Sequence, residues 1–151
     1  SLTYRAVIST TQGEMIMDLF VDKAPLAVNN FVLLANLGIF DGTPVNQVTP
    51  GEAMIFGALD NTPSGDAGYM LYSETSTEIS LTKGIVSYIP MQINPPDPTI
   101  SSSSIILVAL GDVPAEVVGL YSFFGQITEG LDLLDLLTIE DQIVSVTIVT
   151  E

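Results

Sequence analysis

Residues Gly13–Gly42, GEMIMDLFVDKAPLAVNNFVLLANLGIFDG, decide how this chain folds. Glu14 to Leu19 alternates polar and apolar residues over much of its length, as a strand with one buried face does. Asp22-Lys23-Ala24-Pro25 then makes a tight corner. Pro25 suits the first helical position, where its fixed φ fits and its missing N–H costs nothing. Ala27, Phe31, Leu34 and Ala35 recur at helical spacing and form one buried stripe. Leu26, Val28, Leu33 and Leu37 widen the stripe, which predicts a helix covered on most sides. Asn29, Asn30 and Asn36 are its polar breaks, and Gly38 is placed to close it in the left-handed conformation.

Working outward, Tyr4 to Thr10 is β-branched and apolar and reads as a first strand. Thr11-Gln12-Gly13 turns it into a hairpin with the strand that follows. Further strands are read at Val45–Val48, Ala53–Gly57, Tyr69–Tyr72, Gly84–Ile89, Ile105–Leu110, Phe123–Ile127 and Gln142–Thr150. Pro114–Leu120 and the leucine-rich Leu131–Leu137 read as short helices. Pro90 to Ser104 carries prolines at 90, 95, 96 and 98 and serines from 101 to 104. Without N–H donors at the prolines, it reads as an extended, partly polyproline-like loop. About eight short strands with two or three helices predict a mostly β fold, a closed antiparallel barrel capped by short helices. The length of 151 residues fits one domain, with no internal repeat and no linker.

The net charge is −15, and only Arg5, Lys23 and Lys83 are cationic. Such a chain offers no basic footprint for a phosphate backbone, which excludes nucleic acid as a partner, and anionic membrane surfaces should repel it. No apolar run reaches the ~18 residues of a membrane span, so no transmembrane segment is expected. Cysteine and histidine are both absent. That removes thiol chemistry, the commonest general base and the commonest metal ligand together. The chain begins at Ser1 with no signal peptide, which fits a processed or excised piece. Few lysines and many Ser, Thr, Asn and Gln lean towards an exported or extracytoplasmic protein, with a cytoplasmic one left open.

Several islands, in order, resemble a bacterial-type cyclophilin: Gly13 to Leu19, Asp22-Lys23-Ala24-Pro25, Val28-Asn29-Asn30-Phe31, Leu34-Ala35 and Gly38 to Gly42. Later come Gly65-Asp66-Ala67-Gly68-Tyr69, Gly84-Ile85-Val86-Ser87 and Phe123-Phe124-Gly125-Gln126-Ile127. The resemblance implies a prolyl isomerase barrel. In that family an arginine hydrogen-bonds and polarises the twisting prolyl amide, an apolar pocket holds the proline ring, and a glutamine and backbone groups hold the peptide. The rotation barrier to be lowered is about 20 kcal/mol.

On that resemblance the family's Phe-His-Arg-Val falls on Val45-Asn46-Gln47-Val48, so Gln47 stands at the arginine. Phe-Met-Ile-Gln-Gly-Gly falls on Ala53-Met54-Ile55-Phe56-Gly57-Ala58, with Ala53 for a pocket phenylalanine and Phe56 for the glutamine. Ser-Gln-Phe-Phe falls on Ser103-Ser104-Ile105-Ile106, and the pocket histidine on Tyr121. The expected former pocket is therefore Gln47, Ala53, Met54, Phe56, Ser104, Ile106 and Tyr121. A neutral amide at 47 offers weaker hydrogen bonds than a charged guanidinium.

These replacements imply a catalytically degenerate domain with no catalytic residue, no cofactor and no metal. Its role would be a protein-binding or structural subunit of a larger assembly, with protein partners. The alternatives are a divergent but active isomerase and a proline-peptide binder that does not catalyse. Asp60-x-Thr62-x-Ser64-Gly65 looks faintly like a calcium loop, but Leu71 stands where the distal glutamate belongs. Glu129, Asp132, Asp135, Glu140 and Asp141 form an acidic cluster, read first as a solvated face and second as a docking surface. Ser101–Ser104 has no histidine to activate a hydroxyl.

Overall fold

The computed structural model describes residues 3–59, 67–75, 81–90, 97, 99–114 and 121–150. The expected helix at Pro114–Leu120 and the faint calcium loop from Asp60 lie largely outside these residues.

Among the described residues nine strands form one sheet: β1 (Tyr4–Thr10), β2 (Gly13–Leu19), β3 (Thr43–Thr49), β4 (Ala53–Phe56), β5 (Met70–Tyr72), β6 (Ile85–Pro90), β7 (Ile100–Ala109), β8 (Ser122–Glu129) and β9 (Gln142–Thr150). Their order is β4-β3-β9-β1-β2-β8-β6-β7-β5, and β4 also pairs with β7. That last pairing closes eight strands into a barrel and leaves β5 outside the ring, on the edge of β7. Every pairing is antiparallel. The opening hairpin sets the pattern: in both β1 and β2 every second side chain is buried, with Ala6, Ile8, Met15 and Met17 inside.

The helix α1 (Pro25–Asn36) packs Ala27, Phe31 and Leu34 against the barrel, with Pro25 in its first turn. Phe31 lies 5.5 Å from Phe40 and 5.3 Å from Phe124, ring centre to ring centre. Gly38 closes the helix with φ +72°. The helix is less covered than its composition predicts: Leu26, Leu33 and Leu37 are more than half exposed. They occupy the side turned away from the barrel, and among the described residues no element is laid over it. No side chain at the helix start caps it. Glu74 does so from 48 residues away, accepting from the N–H of Ala27 at 2.8 Å and of Leu26 at 3.2 Å. A carboxylate there satisfies orphan donors and meets the positive end of the helix.

The serine run corrects the reading of Pro90–Ser104 as a loop. β6 reaches Pro90, and β7 begins at Ile100, so Ser101–Ser104 are strand and almost fully buried. Serine is small enough for the crowded end of a barrel, and the hydroxyls of Ser102, Ser103 and Ser104 find partners within the chain, while that of Ser101 has none among the described residues. Ser104 Oγ donates to the carbonyl of Gly57 at 2.7 Å, and Ser103 Oγ accepts from the N–H of Ala67 at 3.1 Å. Asn30 on α1 adds to this seam: its Nδ2 donates to the carbonyl of Ser103 (2.7 Å) and to Tyr88 Oη (3.0 Å), while its Oδ1 accepts from Tyr69. Burial pushes the Tyr88 hydroxyl far above the usual phenol range, with the Asn30 hydrogen bond pulling the other way. Tyr88 therefore stays neutral, hydrogen-bonded to Asn30 and stacked on Phe124 with ring centres 4.6 Å apart.

Among the described glycines Gly57 makes the closest approach. Its φ is +88°, and a Cβ would sit 1.9 Å from the carbonyl oxygen of Ser104. Gly57→Ala should therefore destabilise the fold by about 3 kcal/mol or more, from overpacking and left-handed strain together. In a chain of this size that is a fall in Tm of roughly 6–12 °C by calorimetry. An unchanged Tm would mean that β4 and β7 do not meet as described.

Candidate functional site

Register decides which side chains reach the outside of the closed barrel. Gln47 is paired with Ile55, Ile55 with Leu107, Leu107 with Ser87, and Ser87 with Phe123. Directly paired residues share a face, so this row runs across β3, β4, β7, β6 and β8. The next row places Ala53 opposite Ala109. At one end of these rows lies a groove of 460 Å³, lined by Ala53, Leu107, Ala109, Tyr121 and Phe123 and edged by Glu52 and Asp112; Gln47 and Ile55 are outside its lining. Below it Ile85, Ala109 and Phe123 form a small apolar cluster separate from the main core, with Tyr121 packed on it. The Tyr121 and Phe123 rings are tilted, with centres 5.9 Å apart.

The seven residues expected to mark the old pocket divide into two groups. Ala53 and Tyr121 line the groove, and Gln47 is exposed on the same outer face, next to Ile55. The Gln47 amide makes only a long contact, 3.5 Å to Thr49 Oγ1. Met54, Phe56 and Ile106 point the other way, into the main core, at 1 % exposure or less. Phe56 packs on Phe40 there, with ring centres 5.9 Å apart. Ser104 is fully buried, with its hydroxyl held by Gly57. The outer face of these strands is instead made by Ala53 and Ile55 on β4 and by Leu107 and Ala109 on β7, and of these Ala53, Leu107 and Ala109 line the groove. Strand alternation is the signal that finds them: with Met54 and Phe56 inward, their neighbours must face outward. Phe123 was read only as part of a strand.

No cation lines the groove. Arg5 on β1 pairs with Asp18 at 3.0 Å, and Lys83 pairs with Asp135 at 2.6 Å. Lys23 borders a different cavity, beside Tyr4 and Phe20. The charges near the groove are the carboxylates of Glu52 and Asp112. The site can hold apolar groups, but no guanidinium stands there to polarise an amide.

The acidic cluster also separates into parts. Asp141 is buried and structural: it accepts from Thr11 Oγ1 at 2.6 Å, from the Thr138 N–H at 2.8 Å and from Gln12 Nε2 at 3.1 Å. It thereby ties the β1–β2 turn to the approach of β9. Asp135 is held by Lys83, while Glu129, Asp132 and Glu140 are exposed. Among the described residues no group of three or more acidic side chains converges as a metal site.

Chain-wide comparison gives a consistent result. The family described as "Cyclophilin type peptidyl-prolyl cis-trans isomerase/CLD" matches residues 5–149. A Helicobacter pylori peptidyl-prolyl cis-trans isomerase is 32 % identical over 147 residues, covering 95 % of this chain and 86 % of that protein. The peptidyl-prolyl cis-trans isomerase-like 4 protein of Cryptococcus neoformans is 29 % identical over 146 residues. There the match covers 85 % of this chain but only 28 % of the relative's length. In structure, a Cryptosporidium parvum cyclophilin type peptidyl-prolyl cis-trans isomerase superposes with a TM-score of 0.83 at 20 % identity, over 97 % of this chain and 98 % of that one. The Mimivirus cyclophilin gives 0.77 at 18 % identity, over 97 % and 89 %.

The hydrogen bonds of Asp141 favour its charged form, with the Thr11 hydroxyl the largest cause and the Thr138 N–H next, and hold its pKa below the usual carboxylate value. A lowered folded-state pKa gives stability that is present above about pH 4 and lost as the pH falls through the folded value. Asp141→Ala should therefore destabilise the chain by roughly 2–3 kcal/mol at pH 7, and clearly less at pH 2. Urea unfolding at the two pH values checks this; equal losses would show that the carboxylate charge plays no part.

Proposed function

This chain belongs to the cyclophilin-type peptidyl-prolyl cis-trans isomerase family, and we propose that it is a catalytically degenerate member, a protein-binding or structural subunit of a larger assembly. One observation carries this reading: the groove has apolar walls and acidic edges but no cation, and Gln47 occupies the place where the resemblance puts the arginine. Amide rotation is accelerated by interactions that strengthen as the nitrogen loses conjugation. A neutral amide on an exposed strand face supplies little of that. The apolar walls, by contrast, support binding without turnover.

Relatives in which the matching stretch is a minor part of the length support a module that works within something larger. The specific observation favouring the alternative, a divergent active isomerase, is the end-to-end similarity to a relative named as an isomerase.

A single assay separates them. NMR exchange spectroscopy on a proline-containing test peptide should show cis–trans rates at the uncatalysed background with wild-type protein. An enhancement that disappears in Gln47→Ala overturns the degenerate reading. The composition, poor in lysine and rich in Ser and Thr, supports placement outside the cytoplasm. Cell fractionation followed by immunoblotting should then find the protein in the exported fraction, and recovery solely with cytosolic markers would refute it.

A further inference from the structure

A second cavity lies beside the groove. Its volume is 420 Å³, and its apolar walls are Val48, Pro50, Leu110, Leu134, Leu137 and Ile139. Leu137 is buried, whereas Ile139 is 64 % exposed. The two cavities share Gly51. Between them the chain makes a low saddle from two glycines: a Cβ on Gly111 would lie 2.5 Å from the Gly51 carbonyl oxygen, and a Cβ on Gly51 would point into open space. The two loops are locked together by the Leu110 N–H donating to the Glu52 carbonyl at 2.9 Å. The saddle thus carries no side chain that would separate the cavities.

The charges around this double feature are of one sign. Glu52 and Asp112 edge the groove, both exposed, and neither has an ion-pair partner among the described residues. Asp135 borders the second cavity and is already held by Lys83. The chain as a whole carries −15. A cation arriving here meets two free carboxylates and no competing lysine or arginine.

We infer that the groove and the second cavity form one continuous docking track for an extended polypeptide segment of a partner protein, in which apolar side chains alternate with basic ones. The apolar side chains enter the two cavities, and the segment's backbone crosses the glycine saddle. Lysine or arginine between them pairs with Glu52 and Asp112. This rests on the reading of the groove as a binding face and adds to it the second cavity and the chemistry of the occupant. The complementary charge sets selectivity and salt dependence, because rim charges act mainly on encounter and on rejection of like-charged segments.

The test uses three fluorescein-labelled decapeptides that alternate valine with lysine, glutamine or glutamate, read by fluorescence anisotropy, with ¹⁵N chemical-shift mapping of the chain. The lysine peptide should bind at least about tenfold tighter than the glutamate peptide, and the preference should shrink at high salt. The Glu52→Gln/Asp112→Asn variant should lose most of that preference, with the lysine peptide weakened far more than the glutamine peptide. Ile139→Ser, at an exposed position where folding is not at stake, should weaken the lysine and glutamine peptides alike. Shifts should run from Ala53 and Leu107 across Gly51 to Ile139. Binding confined to the groove, with no shift at Leu134–Ile139 and no effect of Ile139→Ser, overturns the double track. Equal binding of all three peptides overturns the basic occupant. Both of those outcomes leave the groove as a binding face, whereas no peptide bound at all removes that reading and this inference together.

Discussion

The barrel exists because β4 reaches β7, and that meeting rests on one very short approach between backbones. At Gly57 the chain passes so close to the Ser104 carbonyl that no side chain fits, and the Ser104 hydroxyl answers by donating to the Gly57 carbonyl. β7 has ten residues and three neighbours: β6 along one edge, and β4 and β5 in succession along the other. Its Ile105–Ala109 half is apolar and closes the ring. Its serine half carries β5 outside the ring. Without the closure, β4 and β7 would each present an unpaired edge, a state that sheets avoid because it invites pairing with other chains.

The same seam organises the helix end of the molecule. Asn30 projects from α1 and connects it to the Ser103 carbonyl, Tyr88 and Tyr69 at once. Buried amides are favourable only when their donors and acceptors are met, and here both Nδ2 bonds and the Oδ1 bond are made. Ser103 turns its hydroxyl to the N–H of Ala67, so the loop before β5 is fastened to the same point. Glu74, just after β5, then reaches back to cap α1. Helix, loop and edge strand are therefore one hydrogen-bonded unit. The groove, on the outer face of β4 and β7, inherits its rigidity from that closure.

The opening stretch was legible because its signals are local. Period-two burial in β2, proline at the start of α1 and glycine at its exit each act within a few residues, and none depends on what packs against them. The serine run was misread for the opposite reason. Ser101–Ser104 has no intrinsic claim to strand, and the hydroxyls of Ser104 and Ser103 are met by Gly57 and Ala67, which lie far away in sequence. The coverage of α1 was over-read because Leu26, Leu33 and Leu37 look like core by composition, and only the packing shows them exposed. The site was half legible. Motif matching brought Gln47, Ala53 and Tyr121 to the outer face, but a strand has two faces. A match that is shifted by one residue exchanges them. Ile55 and Leu107 were accessible from parity alone once Met54 and Phe56 were recognised as inward.

Binding and turnover make different demands on such a groove. Holding an apolar side chain requires area: Ala53, Leu107, Ala109 and Phe123 provide it irrespective of charge, at roughly 25 cal/mol for each Å² removed from water. Lowering a rotation barrier near 20 kcal/mol requires a donor that gains strength as the amide twists, because contacts equal in ground and transition state leave the rate unchanged. The three cations of this chain lie elsewhere, two of them committed to Asp18 and Asp135. What borders the groove instead is negative, and a carboxylate offers no donor to an amide. The groove thus offers apolar area and negative edges, and no cationic donor.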